Sequence, residues 1–294
     1  MKRNGKISFY GFLNIDKPSG LTSSTLVNKC KWLSGVPCGH MGTLDPLASG
    51  VLPVGLGNAT RLFDYFLEKD KEYIAKFTFG VMSDTLDSTG ELTKIGRIPT
   101  AEEIQSVLPS LVGDVMQIPP KYSAKNINGQ RGYNLARAGV DFTLPAKRVR
   151  IDEIVLLASP IKEENTYSFK IRCGGGTYIR SIARDMATAL QTHAVMSGLR
   201  RTQSGYFHIQ DAIPFSALET DPDISTLERY MIPTEKVLSY PDLRLTDKLA
   251  ERVLNGLAVE ADEQDGLYKL YINDVFYGIA EIKDGKAKAK TKLC

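Results

Sequence analysis

Residues 39–61, GHMGTLDPLASGVLPVGLGNATR, set one acid and one histidine in a frame rich in glycine and proline. Asp45 precedes Pro46, which biases its backbone away from helix, and such loops are good platforms for a reactive side chain. This carboxylate could act as a nucleophile or as a general base. On this segment alone an Asp-Pro turn without catalysis is the simpler explanation, and His40 by itself is more typical of a structural histidine.

The segment GGGTYIRS, residues 174–181, places three glycines before a predicted helix. Free backbone N–H groups at a helix start bind anions, so this turn could hold a phosphate, although a tight strand-to-helix turn explains the glycines as well. It is neither a Walker A loop nor a complete G-x-G-x-x-G. Arg180 falls in the first helical turn, where a cation opposes the helix dipole. The position therefore predicts an anionic partner for Arg180, with a solvated helix face as the alternative.

A third segment, residues 119–139, interleaves basic and aromatic side chains. They are Lys121, Tyr122, Lys125, Arg131, Tyr133 and Arg137. Phosphate pairing and base stacking are common means of binding single-stranded RNA, so this segment is a candidate RNA-binding surface. An ordinary exposed loop followed by a helix fits the same residues equally well.

The elements that must position these side chains mix helices and strands. Apolar spacing and end signals predict helices over 22–34 and 59–67, a helix between the capping box of Thr100 and Glu103 and Pro109, and a helix after residue 178. Alternation predicts strands over 73–79, 147–158 and 166–173. Because the order lacks strict βα alternation, we expect an α+β fold with a large, mostly antiparallel mixed sheet.

The last part of the chain has the pattern of a small β module. After a boundary around SYPDLRLTDK, residues 239–248, a short helix ends at Gly256. Turn signals at Asn273-Asp274 and Asp284-Gly285 then separate short strands. We therefore divide the chain into a domain of residues 1–237 and a small domain of residues 238–294 docked on it.

Composition limits the class of protein. The chain has 294 residues, 43% hydrophobic and 24% charged, which is ordinary globular composition. No apolar run reaches the roughly 18 residues of a membrane span, and the N-terminus has no signal-peptide pattern. The four cysteines and three histidines lack zinc spacing, so no metal is expected and free thiols indicate the cytoplasm. A net charge of +3 neither requires nor excludes nucleic acid.

Six segments in this order resemble the TruB-type tRNA pseudouridine synthases. They are LNIDKPSG (13–20), GHMGTLDPLASGVLPVGLGNATR (39–61), DKEY (70–73), QIPPKYSA (117–124), GGGTYIRS (174–181) and LRRTQSGYF (199–207). Each segment alone is weak, but the ordered set is specific and spans nearly the whole chain. The resemblance implies a pseudouridine-synthase catalytic domain with an RNA-gripping insertion at about residues 120–150, followed by a small C-terminal PUA-like RNA-binding β domain.

The resemblance also implies a role for individual residues. Asp45 would be the catalytic aspartate. The residues that bind or brace the substrate would be Tyr73, Tyr178, Arg180, Leu199, His40 and Lys17. Of these, Tyr73 would stack on the target uracil, Arg180 would pair with Asp45, and His40 would lie beside the flipped nucleotide. Tyr178 and Leu199 would line the pocket, and Lys17 would brace its floor.

The implied activity is isomerisation of uridine 55 in the T-loop of tRNA to pseudouridine. A stacked uridine is inaccessible, so the base is flipped into a closed pocket, and the redox-neutral rearrangement needs no cofactor. The implied partner is the T-arm stem-loop of tRNA, without a guide RNA and without a membrane. We expect a monomer that acts in the cytoplasm.

Two alternatives compete with this hypothesis. The catalytic subunit of guide-RNA-dependent pseudouridylation is related, but such subunits usually carry longer basic extensions, which this chain lacks. A non-catalytic tRNA-binding or tRNA-folding module is the alternative from another class. The joint presence of Asp45, Tyr73 and Arg180 argues against a protein that has lost catalysis.

Overall fold

Helices alternate irregularly with β-strands along the chain. The computed structural model describes residues 10–67, 69–123, 126–127, 129–157 and 165–293. Within these residues the helices are α1 (Ser23–Ser34), α2 (Asp64–Leu67), α3 (Ala101–Val107), α4 (Gly132–Arg137), α5 (Ile179–Ala189), α6 (Ala217–Thr220), α7 (Ile224–Tyr230) and α8 (Asp247–Leu254). Short 3₁₀ helices cover Gly57–Leu62, Leu108–Leu111, Ile209–Asp211 and Thr234–Lys236.

The strands fall into two larger sheets and two small hairpins. They are β1 (Gly11–Lys17), β2 (Cys38–His40), β3 (Ser49–Leu56), β4 (Lys71–Phe79), β5 (Val81–Met82), β6 (Thr93–Lys94), β7 (Gly113–Gln117), β8 (Asn126–Ile127), β9 (Gln130–Arg131), β10 (Lys147–Leu157), β11 (Thr166–Cys173), β12 (Ala194–Ser204), β13 (Phe207–His208), β14 (Ile213–Pro214), β15 (Asp242–Leu245), β16 (Val259–Glu260), β17 (Gly266–Ile272), β18 (Val275–Lys283) and β19 (Lys286–Lys292). The hairpins pair β5 with β6 and β8 with β9.

The main sheet has the strand order β14-β1-β3-β12-β4-β11-β10-β7, and β13 pairs with β12 and β2 with β3. Its pairs are antiparallel except β1 with β14 and β3 with β12. This arrangement confirms the expected α+β fold with a large, mostly antiparallel mixed sheet. Because β12 lies between β3 and β4, it brings Arg201 beside Gly50 on one side and beside Tyr73 on the other.

Local end signals predict the principal helices correctly. Thr22 caps α1 through its side chain, and Gly35, with φ of 66°, ends it. Thr100 and Glu103 form the predicted capping box of α3, and Pro109 follows its end. The apolar face predicted for the fourth helix, α5, is buried as expected: Ile179, Ile182, Ala183, Met186 and Leu190.

The predicted helix over 59–67 is wrong as a single α-helix. The structure has a 3₁₀ helix over Gly57–Leu62 and then the single turn α2. Thr60 Oγ1 donates back to Gly57 O at 2.8 Å. At three residues per turn Ala59 and Leu62 lie one above the other, and both are fully buried. Burial of this pair selects the tighter helix.

The small C-terminal sheet has the strand order β15-β17-β18-β19-β16. Both turn predictions are confirmed, since Asn273 and Asp274 join β17 to β18, and Asp284 and Gly285 join β18 to β19. All four residues have positive φ, between 47° and 70°, as a two-residue type I′ hairpin requires. The amphipathic helix α8 precedes Gly256, as predicted.

This sheet docks on the 3₁₀ helix that follows β3. Asn58 Nδ2 donates to Leu293 O at 2.9 Å, and Arg61 Nη1 donates to Lys292 O at 2.8 Å. One apolar cluster combines residues of both sheets, and it includes Phe12, Phe66, Phe207, Phe276, Ile279 and Leu293. The small sheet is therefore fixed to the main one by packing as well as by hydrogen bonds.

Some sequence predictions lie outside the described residues. These concern residues 1–9, Lys125, residue 158 and Cys294. Among the residues that the structure does describe, no helix is long and apolar enough to cross a membrane.

Candidate active site

A cavity of about 700 Å³ lies among the loop after β2, strands β4 and β12, and the start of α5. We call the first of these segments, residues 41–48, the Asp45 loop. Five of the residues predicted from the sequence line the cavity: Asp45, Tyr73, Tyr178, Arg180 and Leu199. Ligand sites in proteins usually measure about 300–1,000 Å³, so the cavity has the size of a small-molecule site.

Asp45 and Arg180 form an ion pair inside this cavity. Arg180 Nε lies 3.0 Å from Asp45 Oδ2, and Nη2 donates to Oδ1 at 3.3 Å. The Arg180 side chain is 7% exposed and that of Asp45 is 34% exposed. The guanidinium is thus held within the protein while the carboxylate stays open to a substrate. Because α5 begins at Ile179, Arg180 has the anionic partner that a cation at a helix start needs.

The same guanidinium contacts two further segments. Its Nη1 lies 3.5 Å from Asp87 Oδ2 and donates to Thr85 O at 3.1 Å, and its Nη2 donates to Tyr122 O at 3.0 Å. The hydroxyls of Thr85 and Thr89 donate to Asp87 Oδ1. Arg180 therefore joins the Asp45 loop to the loop of residues 83–90 and to the start of the 120–150 segment.

Burial shifts the titration of the groups in the cavity. Removal from water raises the pKa of Asp45, the charge of Arg180 opposes this shift, and the charge of Asp87 adds to it. Burial also raises the pKa of Tyr73 to about 12, so its phenol is neutral at physiological pH. The cavity therefore combines two carboxylates ion-paired with Arg180, those of Asp45 and Asp87, with the neutral aromatic hydroxyl of Tyr73.

The start of α1 and the turn before it hold the Asp45 loop. Ser23 Oγ donates to Leu44 O at 2.8 Å and accepts from Leu44 N at 2.9 Å. Pro46 O accepts from Gly20 N at 2.8 Å. The carbonyls on both sides of Asp45 are therefore fixed, and the backbone that carries the carboxylate is rigidly placed.

Lys17 lies beneath the Asp45 loop and does not line the cavity. Its Nζ donates to Leu21 O at 2.6 Å, to Pro18 O at 2.9 Å and to Pro46 O at 3.4 Å. Burial lowers the pKa of Lys17 to about 8, against the attraction of Asp45. These contacts agree with a bracing function, which stays a prediction.

Strands β4 and β12 and the start of α5 supply the apolar and aromatic wall. Tyr73 is 6% exposed. Leu199 pairs with Ala75 across the sheet. Gln117 fixes Tyr178 by accepting from its N–H at 2.8 Å and donating from Nε2 to its C=O at 3.2 Å. The three predicted pocket residues therefore lie on rigid elements.

The structure does not bring His40 into the cavity lining. It lies on β2, paired with Val54 of β3, and only its neighbour Met41 reaches the lining. Within the described residues His40 Nδ1 is buried and has no hydrogen-bond partner, and burial lowers the pKa of the imidazole. A place for His40 beside a flipped nucleotide stays a prediction about the RNA-bound state.

The basic and aromatic segment reaches the cavity with only part of its side chains. Tyr122, Tyr133 and Arg137 line the opening, and the Arg137 guanidinium lies 5.9 Å from the centre of the Tyr133 ring. Lys121 instead pairs with the exposed Asp141 at 2.8 Å. Of the basic and aromatic side chains that the structure describes in this segment, two tyrosines and one arginine therefore line the cavity.

Sequence reasoning missed three charged residues that line the cavity: Lys71, Asp87 and Arg201. Asp87 lies in SDTLDSTG, where the density of Ser, Thr and Asp was the available signal. Arg201 lies in LRRTQSGYF beside Arg200, and only strand register shows which arginine faces the cavity. Arg201 is 1% exposed, whereas Arg200 forms an exposed pair with Asp16 at 2.8 Å.

Comparison with known proteins covers almost the whole chain. Residues 31–179 match the model for the TruB family pseudouridylate synthase N-terminal domain, residues 180–239 that for the tRNA pseudouridylate synthase B C-terminal domain, and residues 241–291 that for the pseudouridine synthase II TruB C-terminal domain. The tRNA pseudouridine synthase B of Gluconobacter oxydans is 35% identical over 96% of this chain and 90% of its own length. That of Acaryochloris marina is 40% identical over 96% of this chain and 98% of its own length.

Solved structures share the fold at lower identity. A structure of an H/ACA ribonucleoprotein bound to a substrate RNA containing 2′-deoxyuridine matches with a TM-score of 0.70 and 23% identity, over 98% of this chain and 86% of that one. A Cbf5-Nop10-Gar1 complex matches with a TM-score of 0.70 and 24% identity, over 97% of this chain and 85% of that one. Family models and relatives together cover both sheets and every motif of the cavity, and the chain belongs to the TruB family of pseudouridylate synthases.

Proposed function

We propose that this protein isomerises uridine 55 in the T-loop of tRNA to pseudouridine, with Asp45 as its catalytic residue. The observation that carries the proposal is the carboxylate of Asp45, ion-paired with Arg180 at 3.0 Å and open to a cavity that also contains Tyr73. Membership of the TruB family supports the reaction, and the tRNA named for its relatives supports the substrate.

The chemistry requires few groups. The bond between ribose C1′ and uracil N1 breaks, a bond between C1′ and C5 forms, the C5 hydrogen leaves to solvent as a proton, and N1 takes up a proton, so that the product is an isomer of uridine. A carboxylate can start this rearrangement by attacking C1′ or by removing a proton from the sugar. Arg180 stabilises the charged form that either route needs. Because the rearrangement is redox-neutral and is started by a carboxylate, we propose that neither cofactor nor metal takes part.

The cavity suits a flipped base. A uridine within the T-loop stack must leave it to meet Asp45, and the detached uracil must turn without escaping. Tyr73, Tyr178 and Leu199 supply an aromatic and apolar enclosure for that turn. The neutral phenol of Tyr73 offers a face for stacking and one hydrogen-bond donor.

RNA binding is assigned to two parts of the chain, the insertion at 120–150 and the small domain of residues 238–294. Tyr122, Tyr133 and Arg137 at the opening suit stacking and phosphate contact. We retain the division into a catalytic domain of residues 1–237, with its RNA-gripping insertion at 120–150, and a small RNA-binding domain of residues 238–294. The protein would act on the T-arm as a cytoplasmic monomer without guide RNA.

Asp45→Asn tests the function directly. The change is nearly isosteric and removes the charge, so turnover should be lost while most tRNA affinity remains, because stacking and phosphate contacts elsewhere supply it. Tritium release from C5-labelled uridine in tRNA measures turnover, and a filter-binding assay measures affinity. Asp114→Asn is the matched control, because that carboxylate is exposed and pairs with Arg148 away from the cavity.

Two outcomes would contradict the proposal. A folded Asp45→Asn protein that releases tritium at the parent rate removes Asp45 from the chemistry. A parent protein that binds tRNA but releases no tritium from any tRNA is a non-catalytic binding module. Melting curves accompany both assays, because loss of the Arg180 partner costs about 1–3 kcal/mol of stability.

A further inference from the structure

The side chain of Arg201 is buried against the Asp45 loop. It extends from β12, is 1% exposed, and donates three hydrogen bonds to backbone carbonyls. Nε donates to Val51 O at 2.7 Å, Nη2 to Gly42 O at 3.0 Å and Nη1 to Thr43 O at 3.4 Å. Gly42 and Thr43 precede Asp45, and Val51 follows the loop in β3. One guanidinium therefore spans the loop from its first residues to the strand after it.

The backbone of Arg201 contacts the same region. Arg201 pairs with Gly50 of β3, and the approach is so close that a Cβ on Gly50 would lie 2.2 Å from Arg201 O. Gly50 also has φ of 100°, which favours glycine. Main chain and side chain of one residue thus hold both ends of the Asp45 loop.

On its other side Arg201 adjoins Tyr73, one of the aromatic residues that line the cavity. It is the cross-strand partner of Tyr73 in the pairing of β12 with β4, and both residues line the cavity. The carboxylate of Asp45 comes from the loop before β3, whereas the ring of Tyr73 comes from β4, a separate element of the sheet. Arg201 contacts both elements and so sets the distance between them.

We infer that Arg201 is a positioning residue for the reaction, fixing Asp45 relative to the base held against Tyr73. The inference rests on the proposed function. Within the described residues Arg201 has no salt-bridge partner, although burial of a guanidinium is costly. An apolar side chain would fill the same space without that cost but could not bind three carbonyls. The function that we infer for Arg201 is therefore to hold the Asp45 loop in place.

Two substitutions test whether Arg201 positions the Asp45 loop or only fills buried space. Arg201→Met keeps a long side chain without donors, and Arg201→Lys keeps the charge but lacks the planar fork that reaches three carbonyls. Arg200→Met is the matched control, because Arg200 is the adjacent arginine on the same strand, with 44% of its side chain exposed. Each variant is measured for tritium release in single turnover at saturating enzyme, for tRNA affinity and for melting temperature.

We expect both Arg201 variants to lose about 10²-fold in single-turnover rate, the usual effect of displacing a reacting group by about 1 Å. Their tRNA affinity should match that of Arg200→Met, and Arg200→Met should keep the parent rate. A general structural defect would instead weaken affinity and rate together.

Three results overturn the inference. The first is a folded Arg201→Met or Arg201→Lys protein that turns over at the parent rate. The second is a failure of both variants to fold, which assigns Arg201 to stability alone. The third is a parent that releases no tritium, which overturns the proposed function and this inference with it, whereas the first two leave the proposed function intact.

Discussion

Asp87 is the second carboxylate on the guanidinium of Arg180, 3.5 Å from Nη1. Both side chains are 7% exposed, so the contact is shielded from water. Asp87→Asn removes the charge, keeps the shape, and deprives Arg180 of one of the two acids that fix its orientation. We expect the single-turnover rate of tritium release to fall by up to about 10²-fold, with tRNA affinity largely unchanged.

Asp84→Asn serves as the control for that change. Asp84 lies in the same loop but accepts from the exposed Tyr122 hydroxyl at 2.9 Å and does not contact Arg180 in the described hydrogen bonds. An Asp87→Asn protein as active as Asp84→Asn would show that Asp45 alone suffices to orient the guanidinium.

The pH dependence of the rate follows from the titration of Asp45. The carboxylate is the reactive form, and burial raises its pKa. The rate should therefore fall on acidification with a midpoint above about 3.9, the ordinary aspartate value. Arg180 lowers the pKa of Asp45, so Arg180→Met should move the midpoint to higher pH. Single-turnover rates normalised to their plateaus measure both midpoints, and a midpoint unchanged by Arg180→Met would contradict this account.

Single residues were predictable where sequence alone limits their surroundings. Asp45 stood out because Pro46 and the nearby glycines define a loop, and Arg180 because a cation at a helix start needs an anion. Asp87 offered only the density of Ser, Thr and Asp around it, and Arg201 offered no local signal that distinguishes it from Arg200. Their functions depend on contacts made across the sheet, with Arg180 and with the Asp45 loop, and these contacts follow from tertiary packing.

At the scale of elements, the contact between β3 and β12 depends on a glycine. Gly50→Ala must both strain a residue at φ of 100° and displace Arg201 O, which would lie 2.2 Å from the new Cβ. Gly35, at the end of α1, has φ of 66° but nothing within 4 Å of a Cβ. We expect Gly35→Ala to cost about 1–2 kcal/mol from backbone strain alone, and Gly50→Ala to cost clearly more.

Urea unfolding of the two alanine variants measures this difference. Gly50→Ala should also slow tritium release, because the displaced strand carries Arg201, whereas Gly35→Ala should not. Equal costs in the two variants would mean that β12 can move away from β3 without penalty.

Elements were predictable where their ends or turns are local. The cap of α1, the capping box of α3 and the two type I′ turns depend on residues a few positions apart. The 57–67 segment was mispredicted because burial of Ala59 and Leu62 against distant residues selects a 3₁₀ helix. The insertion of β12 between β3 and β4 has no local signal either, since pairing of distant strands sets it.

At the scale of the whole molecule, the two sheets share an apolar cluster, but we assign the chemistry to the main sheet and RNA binding in part to the small one. Every residue proposed for the chemistry lies before residue 202, whereas the small sheet starts at Asp242. Deletion of residues 240–294 should leave single-turnover activity at saturating enzyme and weaken tRNA binding. The melting temperature should fall, because the deletion removes Phe276, Ile279 and Leu293 from the apolar cluster that they share with Phe12 and Phe66.

Binding isotherms and single-turnover rates of the truncated protein give the answer. A parent-like affinity would deny the small sheet a function in RNA binding. A folded truncation that is inactive at saturating enzyme would instead show that the small sheet completes the site.

The position of β12 in the main sheet links activity to the order of folding. The hydrogen bond from Arg201 to Val51 joins residues 150 positions apart, and that from Arg180 to Asp45 joins residues 135 apart. Contacts across such separations cost much loop-closure entropy and slow the folding of the domains that need them. A chain with β1 and β3 paired but β12 and α5 not yet docked would have the Asp45 loop without either arginine in contact with it. Such a chain would be inactive. The recovery of turnover during refolding therefore reports only the molecules in which β12 has docked between β3 and β4.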